Sequence, residues 1–132
     1  MNENQLRRRL KGVKVCASDE LPRSGRYVVA NTDPSHKPGK HWVCIHVPKK
    51  GPAEYFDSGG NPPSPFFEAY LIARGHKYKR NVLRVQDYGT DTCGEFCVYY
   101  MERRKRGWSF QRIMDSFARD LSVNEMLVTF YC

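Results

Sequence analysis

The run from His41 to Val47, HWVCIHV, is apolar on both of its alternating faces. Successive strand side chains point to opposite sides, so Val43, Ile45 and Val47 face one way and Trp42, Cys44 and His46 the other. A strand that is apolar on both sides has to be covered on both sides. This run is therefore predicted to be a central strand with packing above and below it.

Its neighbours follow from local signals. Arg26–Asn31 (RYVVAN) reads as a strand closed by Asn31-Thr32-Asp33-Pro34. The loop 32–40 carries Pro34, Pro38 and Gly39, and His36 in it reads as exposed. Pro48 and the KKGP segment end the central strand in a turn, and Glu54–Asp57 (EYFD) is its expected hairpin partner. After the loop 58–63, Ser64-Pro65 has the form of an N-cap and first helical residue. Phe66, Phe67, Tyr70 and Leu71 then recur at helical spacing to about Arg74, with Gly75 as the stop. Asn81–Val85 (NVLRV) is read as a fourth strand leading into Gln86.

Residues 1–12 read as a short basic helix or a frayed arm, and residues 13–25 as irregular. Past Cys93 the pattern turns helical to about Arg106, with Phe96, Cys97, Tyr100 and Met101 on the inner face and Gly107 ending it. Ser109 can cap a helix bearing Phe110, Ile113, Met114 and Phe117. Ser122 and Glu125 form an S-x-x-E capping box before a last helix with Val123, Met126, Leu127 and Phe130 on one face. The length of 132 residues is that of one domain. Strands and helices do not alternate regularly. The expected class is therefore α+β: a small mixed or mostly antiparallel sheet packed against helices, with the Cys93 helix lying on the sheet that carries His41.

Charge and cysteine usage bound the setting. A formal net charge of +8 predicts attraction to nucleic acid or other anionic surfaces; the alternative is a basic, soluble surface with no such role. No zinc finger, RNP aromatics or basic zipper accompanies the charge. The cysteines at 16, 44, 93, 97 and 132 are odd in number and follow no disulfide spacing. The opening MNENQLRRRLKG lacks the apolar core of a signal peptide. Free thiols in a reducing, intracellular compartment are expected, and no apolar run approaches the roughly 18 residues of a membrane span.

The chemistry concentrates in Gln86–Cys97, QDYGTDTCGEFC. Cys93 sits where a turn-rich segment becomes a helix. There the helix dipole and free backbone N–H groups favour thiolate over thiol. Gly94 permits close approach of another chain, and the Gln86 amide can donate a hydrogen bond. A cysteine hydrolase also needs an imidazole, a group to hold it, and donors for an oxyanion. His41, at a strand start beside a loop, is the favoured base; an ordinary strand-end histidine is the other reading. His46 reads as a satisfied, partly buried residue and His76 as exposed. Asp57, ending the hairpin partner, can reach His41, although Asp-Ser-Gly-Gly equally suits turn initiation. Two thiols four apart also invite zinc, but no second ligand pair has the spacing to complete a site. Cys97 is more simply a buried helix residue.

His41-Trp42 opening a strand, Phe56-Asp57 ending the next, Gln86, and Cys93-Gly94-Glu95-Phe96-Cys97 opening a helix together resemble the adenovirus-type cysteine protease family, the adenains. That family shares its fold and its His…Asp/Glu…Gln…Cys order with the ubiquitin-like-protein proteases. The segment VVANTDPSHKPGKHWV also resembles adenain-like proteases of large DNA transposons and related viruses, of Maverick/Polinton and adintovirus type. The resemblance spans roughly residues 13–115.

It implies a papain-like/adenain-like fold with the nucleophile at a helix N-terminus. It also implies an endopeptidase that cuts viral capsid and core precursors at small, Gly-rich sites during virion maturation, in the virion and the host nucleus or cytoplasm. Cys93 would be the nucleophile, His41 the base, Asp57 its orienter, and Gln86 with the Cys93 N–H the oxyanion hole. Trp42 and Gly94 would wall the substrate channel. No metal or organic cofactor is implied, and a monomer is expected. DNA is an expected activator, with Arg7, Arg8, Arg9, Lys11, Lys77, Lys79, Arg80, Arg103, Arg104, Lys105 and Arg106 as contacts. Two departures stand out. Asp57 replaces the adenovirus Glu, and the chain is much shorter at its C-terminus, with no cysteine matching the one that tethers the activating peptide. Peptide activation is left open. The rival readings are a deconjugating protease for ubiquitin-like proteins and a non-catalytic basic DNA-binding protein on the same fold.

Overall fold

In the computed structural model, the described residues are 1–37 and 41–131. Pro38, Gly39 and Cys132, read from the sequence above, lie outside them. The elements, in chain order, are helix α1 (Glu3–Arg9), strand β1 (Lys14–Cys16), a 3₁₀ turn (Ser18–Glu20), β2 (Tyr27–Asn31), β3 (Trp42–His46) and β4 (Ala53–Phe56). They continue with α2 (Pro65–Gly75), β5 (Tyr78–Arg80), α3 (Cys93–Lys105), α4 (Phe110–Asp115) and α5 (Leu121–Tyr131).

The five strands pair in sequence order, β1-β2-β3-β4-β5, with β3 at the centre. β2 and β4 run antiparallel to β3, and the outer strands β1 and β5 run parallel to β2 and β4, so the sheet is mixed. Every residue of β3 is buried. Trp42 and Cys44 meet the α3 residues Phe96, Cys97, Tyr100 and Met101 on one face, while Val43 and Ile45 meet Phe67 and Leu71 of α2 on the other. This two-sided cover is what the apolar run demanded. Phe56 of β4 stacks on Tyr100 of α3 at a centroid distance of 4.9 Å and locks the helix onto the sheet. Burying one such aromatic side chain contributes roughly 1.5–3 kcal/mol.

Several local expectations change in the folded chain. The amino-terminal segment is a capped helix and not a frayed arm: Asn2 and Gln5 close a reciprocal capping box, and Leu6 and Leu10 are buried in the core. Within the stretch read as irregular, Lys14–Cys16 adds a parallel edge strand. Gly75 lies inside α2, not beyond it. A Cβ there would come within 2.7 Å of Ala53, so the glycine is needed for close packing on β4. The reversal falls instead on His76, at φ 63°.

The strand after α2 is Tyr78–Arg80 (β5), not Asn81–Val85. Residues 81–86 are held by side chains and single backbone bonds, and Val82 and Leu83 point to solvent. The last helix begins at Leu121, just after Asp120, whose carboxylate accepts from the Ser122 N–H, rather than at a Ser122–Glu125 box. Its buried residues are Asn124 and Val128, while Val123, Met126 and Phe130 are exposed. Turned this way, α5 presents polar Asn124 and Glu125 to the loop before α3, where both are hydrogen-bonded. Among the described residues, no helix is long and apolar enough to cross a membrane.

Candidate active site

The start of β3, the end of β4 and the start of α3 converge at one end of the sheet. β3 pairs antiparallel with β4, which sets the loop after Phe56 beside the residue before Trp42. That register brings His41 Nε2 within 2.7 Å of Asp57 Oδ1. Asp57 is nearly fully buried, and the same carboxylate oxygen accepts the Gly59 N–H at 2.7 Å. Asp57 thus does both things its sequence allowed, holding an imidazole and initiating a turn.

Cys93 is the first residue of α3 and is 8% exposed. Thr92, before it, makes no side-chain cap; its hydroxyl donates instead to Glu125 at 2.7 Å. The first-turn N–H groups therefore receive no capping oxygen from Thr92. Burial alone would raise the Cys93 thiol. Hydrogen bonds from the His41 ring and the Trp42 backbone N–H, together with the His41 charge, outweigh burial and hold the thiol below its ordinary value. At His41 burial likewise works against the charged form, and the bonds to Asp57 and Cys93 overcome it, raising the imidazole to about 10. The lowered thiol and the raised imidazole both favour the thiolate–imidazolium form of the pair.

Gln86 is buried beside them. Its Nε2 donates to Thr90 O at 3.0 Å and to Thr90 Oγ1 at 3.1 Å, and its Oε1 accepts from Ser58 Oγ at 2.6 Å. Asn81 brackets Asp57 from behind: its Oδ1 accepts the Asp57 N–H and its Nδ2 donates to the Asp57 carbonyl. His41, Trp42, Gln86 and Cys93 line one cleft of about 810 Å³, together with Met1 and Asn31.

Trp42 donates its indole N–H to Met1 O at 3.0 Å. A Cβ on Gly94 would lie 2.9 Å from the Met1 side chain, so the close approach at Gly94 is made by this chain's own first residue. Ser58, Asn81, Thr90 and Met1 were not singled out from the sequence. Only Ser58 carried a signal, its place directly after Asp57, and a serine in a turn invites no closer look.

Cys97 lies one helical turn in and is buried, its carbonyl receiving the Cys44 thiol at 3.8 Å. Burial pushes the Cys97 thiol well up, so it stays protonated. His46 is buried, bonded through Nδ1 to Arg26 O and stacked on Tyr27. His36 and His76 are exposed. Among the described residues, no group of three or more His, Cys, Asp or Glu side chains is gathered as a metal site would require.

The basic residues divide into two sets. Arg103 and Arg104, expected on a DNA-facing surface, correct that expectation. Arg103 is 5% exposed and stacks on Tyr99 and Tyr131, while Arg104 forms a two-pronged pair with buried Glu54 at 2.9 and 2.7 Å. Arg7 pairs with Glu3, Arg9 with Glu102, and Arg80 donates to Asn81 O. Lys79 covers the Phe110 ring, and Lys105 donates to Lys11 O. Arg8, Lys11, Lys77 and Arg106 are exposed.

No family model matches the sequence. The chain is 33% identical over 104 residues to the cysteine protease of African swine fever virus from a Malawian tick isolate, covering 70% of the chain and 38% of that protein. A South African tick isolate of the same virus has a protein named SUMO-1 cysteine protease, 32% identical over the same length and with the same coverage. The chain thus spans less than half the length of these viral relatives. Among solved structures, the African swine fever virus protease superposes with a TM-score of 0.55 at 26% identity, over 80% of this chain and 44% of that one. The central domain of an uncharacterised Legionella pneumophila protein gives a TM-score of 0.51 at 14% identity, over 99% of this chain and 96% of that domain. The fold is accordingly the papain-like α+β fold of the viral protease.

Proposed function

We propose that the chain is a cysteine-type peptidase in which Cys93 attacks the scissile carbonyl. The observation that carries this reading is the His41–Asp57 bond of 2.7 Å beside Cys93, which opens α3 and lines the same cleft as His41. His41, protonated at rest, gives its proton to the leaving amine; as a base it then activates the water that releases the acyl group. Asp57 fixes the ring and stabilises its cation. One N–H of the Gln86 amide leaves Thr90 for the developing oxyanion and acts with the Cys93 backbone N–H. The likeness to viral cysteine proteases supports the same reading.

The substrate class is inferred from the cleft. Trp42, Gly94 and Met1 crowd the space next to Cys93, which favours small residues, glycine above all, on either side of the scissile bond. We take the substrates to be structural precursor proteins of a large DNA virus or a Maverick/Polinton-type element, cut during virion maturation. A second reading is deconjugation of a ubiquitin-like protein, favoured by the name SUMO-1 cysteine protease carried by one relative. Both substrates present small residues to one cleft. Contact with DNA is assigned to Arg8, Lys11, Lys77 and Arg106, which stay exposed.

Two substrate sets test the choice: peptides from capsid precursors with internal Gly-Gly, and conjugates of ubiquitin-like proteins. Internal cleavage of the first set without release of the second supports maturation; the reverse supports deconjugation. No cleavage of either by protein with a free Cys93 thiol would remove the peptidase reading.

A further inference from the structure

The dipeptide Asp57-Ser58 reaches both halves of the site. Asp57 holds the imidazole, and Ser58 is bonded to Gln86 in two ways. The Ser58 carbonyl accepts the Gln86 backbone N–H at 3.0 Å and the Val85 N–H at 2.9 Å. The Ser58 hydroxyl meets Gln86 Oε1 at 2.6 Å.

The direction of that last bond follows from chemistry. Thr90 O lies 3.0 Å from the other end of the same amide, and a carbonyl oxygen can only accept. The amide nitrogen must therefore face Thr90 and the amide oxygen must face Ser58. The hydroxyl has no choice but to donate. Ser58 is 1% exposed and Gln86 5%, so no water competes easily for either atom. An amide fixed at its oxygen cannot flip, and its nitrogen stays on the side of Thr90, which lines the same cleft as Gln86 and Cys93.

We propose that Ser58 is the positioning residue of the oxyanion donor: its hydroxyl sets the rotamer and the flip state of Gln86. Asp57 and Ser58 then hold base and oxyanion donor in one register, because neither can shift without the other. The inference rests on the peptidase reading, and Ser58 itself touches no substrate.

Two measurements test it. The first is steady-state cleavage, by wild type, Ser58→Ala, Gln86→Ala and the double variant, of a Gly-Gly peptide that the wild type cuts. It is run beside the rate of Cys93 alkylation by iodoacetamide, which forms no oxyanion. Ser58→Ala is expected to lower kcat by about 10-fold or more with KM changed less than about 3-fold, the range for partners that orient a reacting group. Alkylation stays within about 2-fold of wild type, and the double variant is no slower than Gln86→Ala alone. Wild-type kcat in Ser58→Ala, full additivity in the double variant, or a parallel fall in alkylation would each overturn the proposal.

The second measurement needs neither turnover nor a folded Ser58 variant. In wild type the two Gln86 side-chain amide protons, assigned by their loss in Gln86→Ala, should give separate, slowly exchanging NMR signals. Free-amide shifts with fast exchange would refute the clamp. Absence of Cys93-dependent cleavage with those signals intact would instead refute the peptidase reading and the oxyanion role with it.

Discussion

His41 Nε2 and Asp57 Oδ1 lie 2.7 Å apart, across the end of an antiparallel strand pair. The strand register sets up this closeness: Cys44 pairs with Phe56, so the chain leaving β4 passes the residue entering β3. A buried carboxylate in that place holds the imidazole upright and keeps it charged at neutral pH.

The first prediction concerns pH. His41 is raised to about 10 from an ordinary 6.5, so the imidazolium persists across neutral pH, and Cys93 is lowered beside it. The alkaline limb of peptide cleavage should therefore lie near pH 10. Asp57→Asn removes the charge and leaves only a neutral amide oxygen as acceptor, so that limb moves down toward 6.5 and kcat falls by about 100-fold or more. An Asp57→Asn variant with an unmoved limb would show that another group holds His41.

Stability should follow the same pair. A His whose folded value lies above its unfolded value stabilises fully below the unfolded one, here about 6.5. That contribution is lost as pH rises through about 10. Thermal unfolding should therefore show a drop in Tm between those limits that shrinks in His41→Ala. An identical slope in the variant would contradict it.

Arg104 belongs to the core and not to a nucleic-acid surface. Removing it strands buried Glu54, which Arg104 and the Tyr100 hydroxyl bond together. Arg104→Ala is expected to cost about 3–5 kcal/mol in denaturant unfolding. A loss of under about 1 kcal/mol would mean the pair is exchanged for water at little cost.

For DNA, neutralising Arg8, Lys11, Lys77 and Arg106 together should weaken retention and flatten its salt dependence, since each phosphate contact releases counterions. Binding that is unchanged, or independent of salt in the wild type, would leave the +8 charge as a solubility feature.

Much of this was legible in the sequence where a pattern is dictated by one physical need. The doubly apolar run 41–47 could only be a central strand, and Cys93 could be placed at a helix start because turn residues precede it. Of the residues singled out in the sequence, His41, Gln86 and Cys93 line one cleft, and Asp57 is bonded to His41. What stayed hidden is set by contacts far apart in sequence. Asn81 supports Asp57 through its side-chain amide, so a stretch with strand-like composition lies outside the ladder. The apolar stripe of α5 is turned outward because Asn124 is bonded to Val85 O and to Ala118, a polar tie that periodicity cannot reveal. Ser58 looked like any turn serine until Gln86 was beside it.

The most direct test of the central claim is mass spectrometry of the protein mixed with a Gly-Gly peptide, in wild type, Cys93→Ala and Cys97→Ala. The account predicts cleavage and a transient acyl adduct on Cys93 in the wild type. It predicts that both are abolished in Cys93→Ala, and that cleavage is largely retained in Cys97→Ala, whose thiol is buried and protonated. Cleavage persisting in Cys93→Ala, or an adduct found on Cys97, would contradict it.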